Sequence, residues 1–485
     1  MKKERIKSAV LTVLVISSLL LTGQIWFNQR LWPEGYNFFV NIRASAYETV
    51  AGLFGAPAAE EHGQASILEP ITLAAYTVKD LDHVMAVINE SYESFDVIND
   101  YISSTVTLAL TRDAENITKV TEEAWQKALF TRGLYVDYGV AYNTATFSQV
   151  LGVAASPLSE HVQTLRQIII TAEDSLFSTV SVYVMDEAAQ TFYKISTGLE
   201  KGELGTYLSI LAEEASPYRR FSFMNNLNAP PGMAGEAVYA PYLVLSEEKS
   251  KYPVLKAENP VFREDEPNMN AFAVEKLLKV FSINPKTVMR YTDADENIIF
   301  VQSQATLKVS TDGVMTYTTV AGSKGLAIEG IGAGAAAAAD VLTQGAKLPI
   351  GVLNAVSSGE GTKLYLSGLE ENQGSYIVTF DYMHNGTPVC LGGEFAGRNA
   401  VRMEFEGGYL KNYTQILRSY EQIEHETTVE STYDAVDQIF EKIEDTDERR
   451  REIASVFVAY DDDGGNGEKQ PVWFLKQEGE AEYKR

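Results

Sequence analysis

From Ser8 to Phe27 the chain runs twenty residues without one ionisable side chain. At 1.5 Å per residue that makes about 30 Å of helix, the thickness of the bilayer hydrocarbon. The pattern predicts a cytoplasmic tail at 1–7 and a transmembrane anchor at 8–28. Lys2, Lys3, Arg5 and Lys7 precede the span and only Arg30 follows it closely, so the N-terminus is expected in the cytoplasm and the bulk of the chain outside. Trp26 and Trp32 flank the far end, where amphipathic rings favour the headgroup region. A cleaved secretory signal is the competing reading. It expects an apolar core of about 7–15 residues followed promptly by a small-x-small site. The nearest candidate, Ala44-Ser45-Ala46, lies well beyond the apolar run, which favours a retained anchor. Within the span Ser8, Leu11, Val15, Ser18 and Thr22 recur on one face. Small and hydroxylated residues let membrane helices approach and hydrogen-bond across the contact. The same hydroxyls are equally compatible with a lipid-facing helix that satisfies them from its own carbonyls.

After Pro33 a helical spacing returns at Phe39, Ile42, Ala46, Val50 and Leu53, and Pro57 stops it, so 29–65 reads as a juxtamembrane helix and linker. Short strands and amphipathic helices then alternate. A strand is predicted at 71–78 and a helix at 80–92 with Leu81, Val84, Met85 and Ile88 inward. Thr121-Glu122-Glu123 caps a helix carrying Trp125, Ala128 and Leu129, and Gly133 ends it before a strand at 134–142. Strands follow at 167–171 and 179–185, the latter turning through 186–189 into 191–195. The first domain is placed at 66–232, ending near Asn228-Ala229-Pro230-Pro231-Gly232. Beyond it, helix 271–281 leads to strands at 287–292 and 298–304 and to a hairpin turning at Thr311-Asp312-Gly313. Helix 433–443, strand 453–460, an acidic turn and strand 471–476 repeat that helix, strand, turn, strand order. Segments 374–385, 401–406 and 409–419 supply more strands. The expectation is an α+β architecture of antiparallel sheets with helices packed on one face, with a central domain at 233–345 and a C-terminal one at 346–485.

Composition narrows the chemistry. Forty Lys+Arg stand against 66 Asp+Glu, a net charge of −26, nearly all of it after the span. That acidity argues against nucleic acid, whose phosphates need concentrated bases. A single cysteine, Cys390, rules out an intrachain disulfide and any multi-cysteine metal site. The five histidines are dispersed, with none in a metal-ligand spacing. Gly330-Ile331-Gly332-Ala333-Gly334-Ala335 imitates a dinucleotide turn but lacks a surrounding series of parallel strands and helices, so it reads as a strand-to-helix joint. The acidic stretches 461–468 and 293–297 lack the Gly and Glu of a calcium loop and read as hairpin turns. Ser246-Glu247-Glu248-Lys249 matches S-x-x-K with no K-T-G to accompany it. No catalytic, metal or cofactor-binding residue is expected.

The order of features resembles the YycH family of membrane-anchored accessory proteins of the WalK/WalR (YycG/YycF) two-component system of Gram-positive bacteria. The resemblance rests on 2–7 with Leu11-Thr12-Val13-Leu14-Val15 and Ile25-Trp26, on 122–129 with 133–138, and on 273–282 with Asn284-Pro285 and 288–292. It continues through 307–313 with Tyr317 and through Asp381-Tyr382 with 386–389. It implies one membrane span and three extracytoplasmic domains, the last two similar to each other and to YycI. It further implies association with the sensor histidine kinase WalK, largely through the membrane helix, together with a YycI-like partner, and through this an influence on cell-wall metabolism. It supplies no catalytic residue. The chain departs from the family pattern in its acidic linker and its alanine run at 335–339. An extracytoplasmic cell-wall enzyme, or a ligand-binding sensor lined by some of the 26 Tyr and 21 Phe, is the rival reading.

Overall fold

The computed structural model describes residues 65–477 except 80–81, 89–91, 130, 173–178, 215–218, 223–241, 246–248, 263–270, 333–336, 357–360, 373 and 443–452. The expected anchor, the juxtamembrane helix and the 228–232 boundary lie outside the described residues. Among the described residues, no helix is long and apolar enough to cross a membrane.

The first unit is one antiparallel sheet. Its strands are β1 (Thr72–Lys79), β2 (Asp82–Ile88), β3 (Ile117–Val120), β4 (Gly133–Asn143), β5 (Thr164–Ala172), β6 (Thr179–Asp186) and β7 (Thr191–Glu200), in the order β2-β1-β4-β5-β6-β7-β3. Its helices are α1 (Phe95–Leu110), α2 (Glu122–Leu129), α3 (Thr144–Val150) and α4 (Lys201–Glu214). The expectation of helices on one face fails here. Ile98, Ile102 and Val106 of α1 and Leu204, Leu208 and Leu211 of α4 cover one face of the sheet. Trp125 and Ala128 of α2 cover the other, against Tyr135, Ile169 and Phe192. Consecutive buried residues such as Ile168, Ile169 and Ile170 are what a strand enclosed on both sides requires.

The helix expected at 80–92 is also corrected. Residues 82–88 form strand β2, hairpinned to β1 from Lys79↔Asp82 to Leu73↔Ile88. In so short a run, the spacing of Val84, Met85 and Ile88 fits a period of 2 nearly as well as 3.6. The β-branched Val84, Val87 and Ile88 then favour the strand.

The rest of the body is built around a sheet of 13 strands. It contains β9 (Met289–Thr292), β10 (Ile298–Gln302), β11 (Ala305–Val309), β12 (Val314–Thr319), β13 (Thr362–Asn372), β14 (Ser375–His384), β15 (Thr387–Leu391), β16 (Val401–Glu406), β17 (Tyr409–Ile416), β19 (Ile453–Asp462) and β21 (Pro471–Gln477). The order is β9-β10-β11-β12-β17-β16-β14-β15-β19-β21, with β13 on β14. A three-stranded sheet of β8 (Ser250–Glu258), β18 (Ser419–Val429) and β20 (Gly467–Lys469) stands beside it. Helices α5 (Ala271–Val280), α6 (Ala338–Gly345), α7 (Lys347–Val356) and α8 (Thr432–Lys442) complete the chain. The pairing of β12 with β17 places strands from before and after residue 345 in one sheet. Phe281, just past α5, stacks on Tyr317 of β12 with ring centroids 5.2 Å apart and meets the edge of Tyr413 of β17 at the same distance. The β14–β15 hairpin turns on Asn385 and Gly386, both at positive φ (46° and 77°), as a tight turn matched to strand twist requires.

Candidate functional site

The described chain begins at Ala65, and residues 65–69 are bonded to both units. Ala65–Ser66 adds a short parallel strand to β13 at Leu364 and Tyr365. The carbonyl of Ile67 accepts the hydroxyl of Tyr142, at the end of β4. The Glu69 carboxylate pairs with the ammonium of Lys363, and both side chains are nearly nine-tenths buried (12% and 11% exposed). Tyr142 is itself fixed in an aromatic cluster, edge-on to Tyr138 and Phe147. Burial pushes its hydroxyl well above the usual phenol range, so it stays protonated and donates. Helix α3, which follows β4 directly, packs on α6 of the second unit. The side chain of Asn143 caps α3 by accepting from the amides of Ala145 and Thr146.

A buried polar network lies behind this junction. Thr362, next to Lys363 on β13, places its hydroxyl 3.0 Å from Nδ1 of His384 on β14. His384 is 1% exposed, and burial lowers its pKa to about 4, so the ring is neutral. Its Nε2 meets no hydrogen-bond partner, and the ring stands edge-on to Tyr460 at 6.4 Å. The Arg418 guanidinium, between β17 and β18, binds both oxygens of Asp462 at 2.8 and 2.9 Å and donates to the Gly465 carbonyl at 2.6 Å. Asp462 also accepts the Tyr420 hydroxyl at 2.8 Å and the Gly464 amide at 3.0 Å. Lys469 stands 3.5 Å away. Burial opposes the charge on Arg418, but the adjacent carboxylate outweighs it and raises the pKa. Burial and the same carboxylate drive the Tyr420 hydroxyl far up.

These groups are enclosed, and apart from the His384 Nε2 they satisfy one another. The Thr362–His384 pair has the hydroxyl–imidazole contact of an activated nucleophile. Both members are buried, however, at 3% and 1% exposure, where no substrate reaches them. The network acts as a positioning device: it locks the β17–β18 crossover to the end of β19. Among the described residues, no three His, Cys, Asp or Glu side chains gather as a metal site. A shallow, open groove of about 520 Å³ runs along α4, lined by Arg132, Gly202, Gly205, Thr206, Ser209 and Ile210.

The sequence-predicted interaction face (Ser8, Leu11, Val15, Ser18, Thr22) and the interfacial residues Lys2, Lys3, Arg5, Lys7, Trp26 and Trp32 lie outside the described residues. Both acidic stretches are turns. Asp293 accepts from the side chain and amide of Asn297, from the Asp295 amide and from Lys308, which together hold its pKa near 2. Asp463 is occupied by Lys469. The junction itself escapes sequence reading, because Glu69 and Lys363 are 294 residues apart and no local pattern marks either.

No family model matches the chain, and no curated protein matches it. Among solved structures, the crystal structure of YycH from Bacillus subtilis aligns with a TM-score of 0.52, covering 86% of this chain and 97% of that one at 12% sequence identity. The fold is YycH-like. In this YycH-like body, the stretches that carry the sequence resemblance are structural: 273–282 centres on α5, and 307–313 forms the end of β11 and its turn into β12.

Proposed function

We propose that this protein is a non-enzymatic accessory regulator, held in the cell membrane by residues 8–28, that tunes a sensor histidine kinase of the WalK/YycG type. It acts through the membrane helix and the extracytoplasmic body that follows it, together with a YycI-like protein, and so influences cell-wall metabolism. The observation that carries the reading is the YycH-like fold over nearly the whole length of the Bacillus subtilis structure. The geometry at Ala65 supports it. Residues 65–69 bond to both units, so a force carried by the preceding chain reaches both of them. Such a protein biases a kinase only by binding its two conformational states with different affinity.

The test replaces Ser18 and Thr22 with Leu in the full chain. Co-purification with the kinase from detergent-solubilised membranes is expected to fall by about tenfold, the equivalent of ~1.4 kcal/mol, while the circular dichroism of the body stays unchanged. Unchanged recovery removes the membrane face from the account.

A further inference from the structure

Strand β9 ends the large sheet, and no described strand pairs with its outer side. The register fixes which of its backbone groups are free. Met289 pairs with Val301 and Tyr291 with Ile299, and the Asp293 amide continues the same ladder by donating to the Asn297 carbonyl at 3.1 Å. In an antiparallel pair, hydrogen-bonded positions alternate with positions whose amide and carbonyl point away. The backbone groups of Arg290 and Thr292 therefore face outward. All four residues of β9 are exposed, Met289 at 56% and Tyr291 at 52%, so nothing among the described residues covers this edge. The corresponding end of the first sheet is protected: β2 has α4 and the paired segments Arg219–Ser222 and Tyr242–Leu245 beside it.

The charges flanking β9 are balanced in number and ordered along the chain. Residues 275–296 carry four bases and four acids; Lys286 and Arg290 come at or before the strand, and Asp293, Asp295 and Glu296 come after it. Lys279 is held by Glu275 at 2.9 Å, whose charge also reaches Lys286, and Asp293 is held by Lys308 at 3.2 Å. Lys286, Arg290, Asp295 and Glu296 are exposed and make no ion pair among the described residues. A partner segment of uniform charge suits only one end of such an edge. A two-fold axis reverses the strand, so it sets the basic start of one copy against the acidic end of the other. The net charge of −26 opposes association at long range, but a Debye length of about 8 Å at physiological salt confines that repulsion, whereas the strand-end charges meet at contact.

We propose that the outer edge of β9 joins two copies of this chain, by antiparallel pairing of β9 with its own counterpart about a two-fold axis at Tyr291. In this register Arg290 exchanges backbone hydrogen bonds with Thr292 of the second copy, and Thr292 with its Arg290, which uses the outward groups of both. A register centred on Arg290 would instead set two guanidinium groups side by side. Tyr291 faces Tyr291 across the axis, and Met289 with Val301 and Ile299 of β10 extends the apolar patch on that face. The proposal goes beyond the accessory reading and does not depend on the kinase, so its failure leaves that reading in place.

The test uses the full chain in detergent micelles. Hydrogen exchange at the Arg290 and Thr292 amides is expected to slow by about tenfold as the protein rises from about 5 to about 500 μM, with the Met289 and Tyr291 amides unchanged. Asp295→Lys with Glu296→Lys is expected to abolish that protection, and the further addition of Lys286→Glu with Arg290→Glu to restore it. All four side chains are exposed, so these variants keep the parent's thermal midpoint, which is checked in parallel. With copper phenanthroline as oxidant, Tyr291→Cys is expected to form a disulfide-linked dimer about tenfold faster than Arg290→Cys or Thr292→Cys. Positions 291 face each other with Cα atoms about 4.5 Å apart, whereas two positions 290 stand about 8 Å apart, beyond disulfide reach. The native Cys390 is buried and leaves the unsubstituted chain uncross-linked. Exchange at 290 and 292 that ignores concentration, or equal cross-linking at 290, 291 and 292, overturns the proposal. So does protection that survives the one-sided charge reversal or fails to return with the two-sided one.

Discussion

Asp462 is 0% exposed yet carries a charge, a state that a protein interior tolerates only when every lone pair is engaged. Arg418, Tyr420 and the Gly464 amide meet that requirement. His384 solves the same problem by staying neutral. Its folded pKa, about 4, lies below the usual value of 6.5 because burial disfavours the charged ring. The unfolded chain therefore binds a proton first as the pH falls. The stability tied to a neutral His384 is complete above about pH 6.5 and is lost progressively as the pH drops towards 4. Integrated over that window, the loss is about 3 kcal/mol. Urea unfolding between pH 7 and 4 should show the wild type losing about that much more than His384→Gln, which cannot titrate. Parallel losses in the two proteins would mean that His384 is not buried neutral.

At the level of elements, the junction made by residues 65–69 has the sharpest consequences. Removing Glu69 strands the Lys363 ammonium in a site only 11% exposed, and removing the Tyr142 hydroxyl frees the Ile67 carbonyl. Glu69→Ala combined with Tyr142→Phe should release residues 65–70 by local opening, with limited proteolysis there accelerated by about tenfold and the global unfolding midpoint little moved. Equal proteolysis rates would show that these contacts contribute nothing to holding residues 65–70 on the body.

Much of the element pattern was legible in the residues. The hairpin at 305–309 and 314–319 follows from alternating apolar positions around Thr311-Asp312-Gly313, and strand 401–406 has the same clear alternation. Helix α1 was not legible: Ile, Val, Ser and Thr crowd Phe95–Leu110, and only burial of Ile98, Ile102 and Val106 against the sheet overrides their weak helix preference. The placement of α2 opposite α1 and α4 was equally hidden, since a helix's own periodicity gives its apolar face but not the side of the sheet it covers. The junction and the Arg418–Asp462 network depend on partners far apart in the chain, and periodicity carries no information about such pairs.

For the whole molecule, the net charge of −26 and the YycH-like fold describe a large acidic body. Kinase tuning is decided by the autophosphorylation rate of the WalK/YycG-type kinase in proteoliposomes, with and without the full-length chain. Saturating chain is expected to change the rate by about threefold or more, in either direction, and Ser18→Leu with Thr22→Leu to restore the rate of the kinase alone. An identical rate at saturation, with the chain inserted beside the kinase, would contradict it.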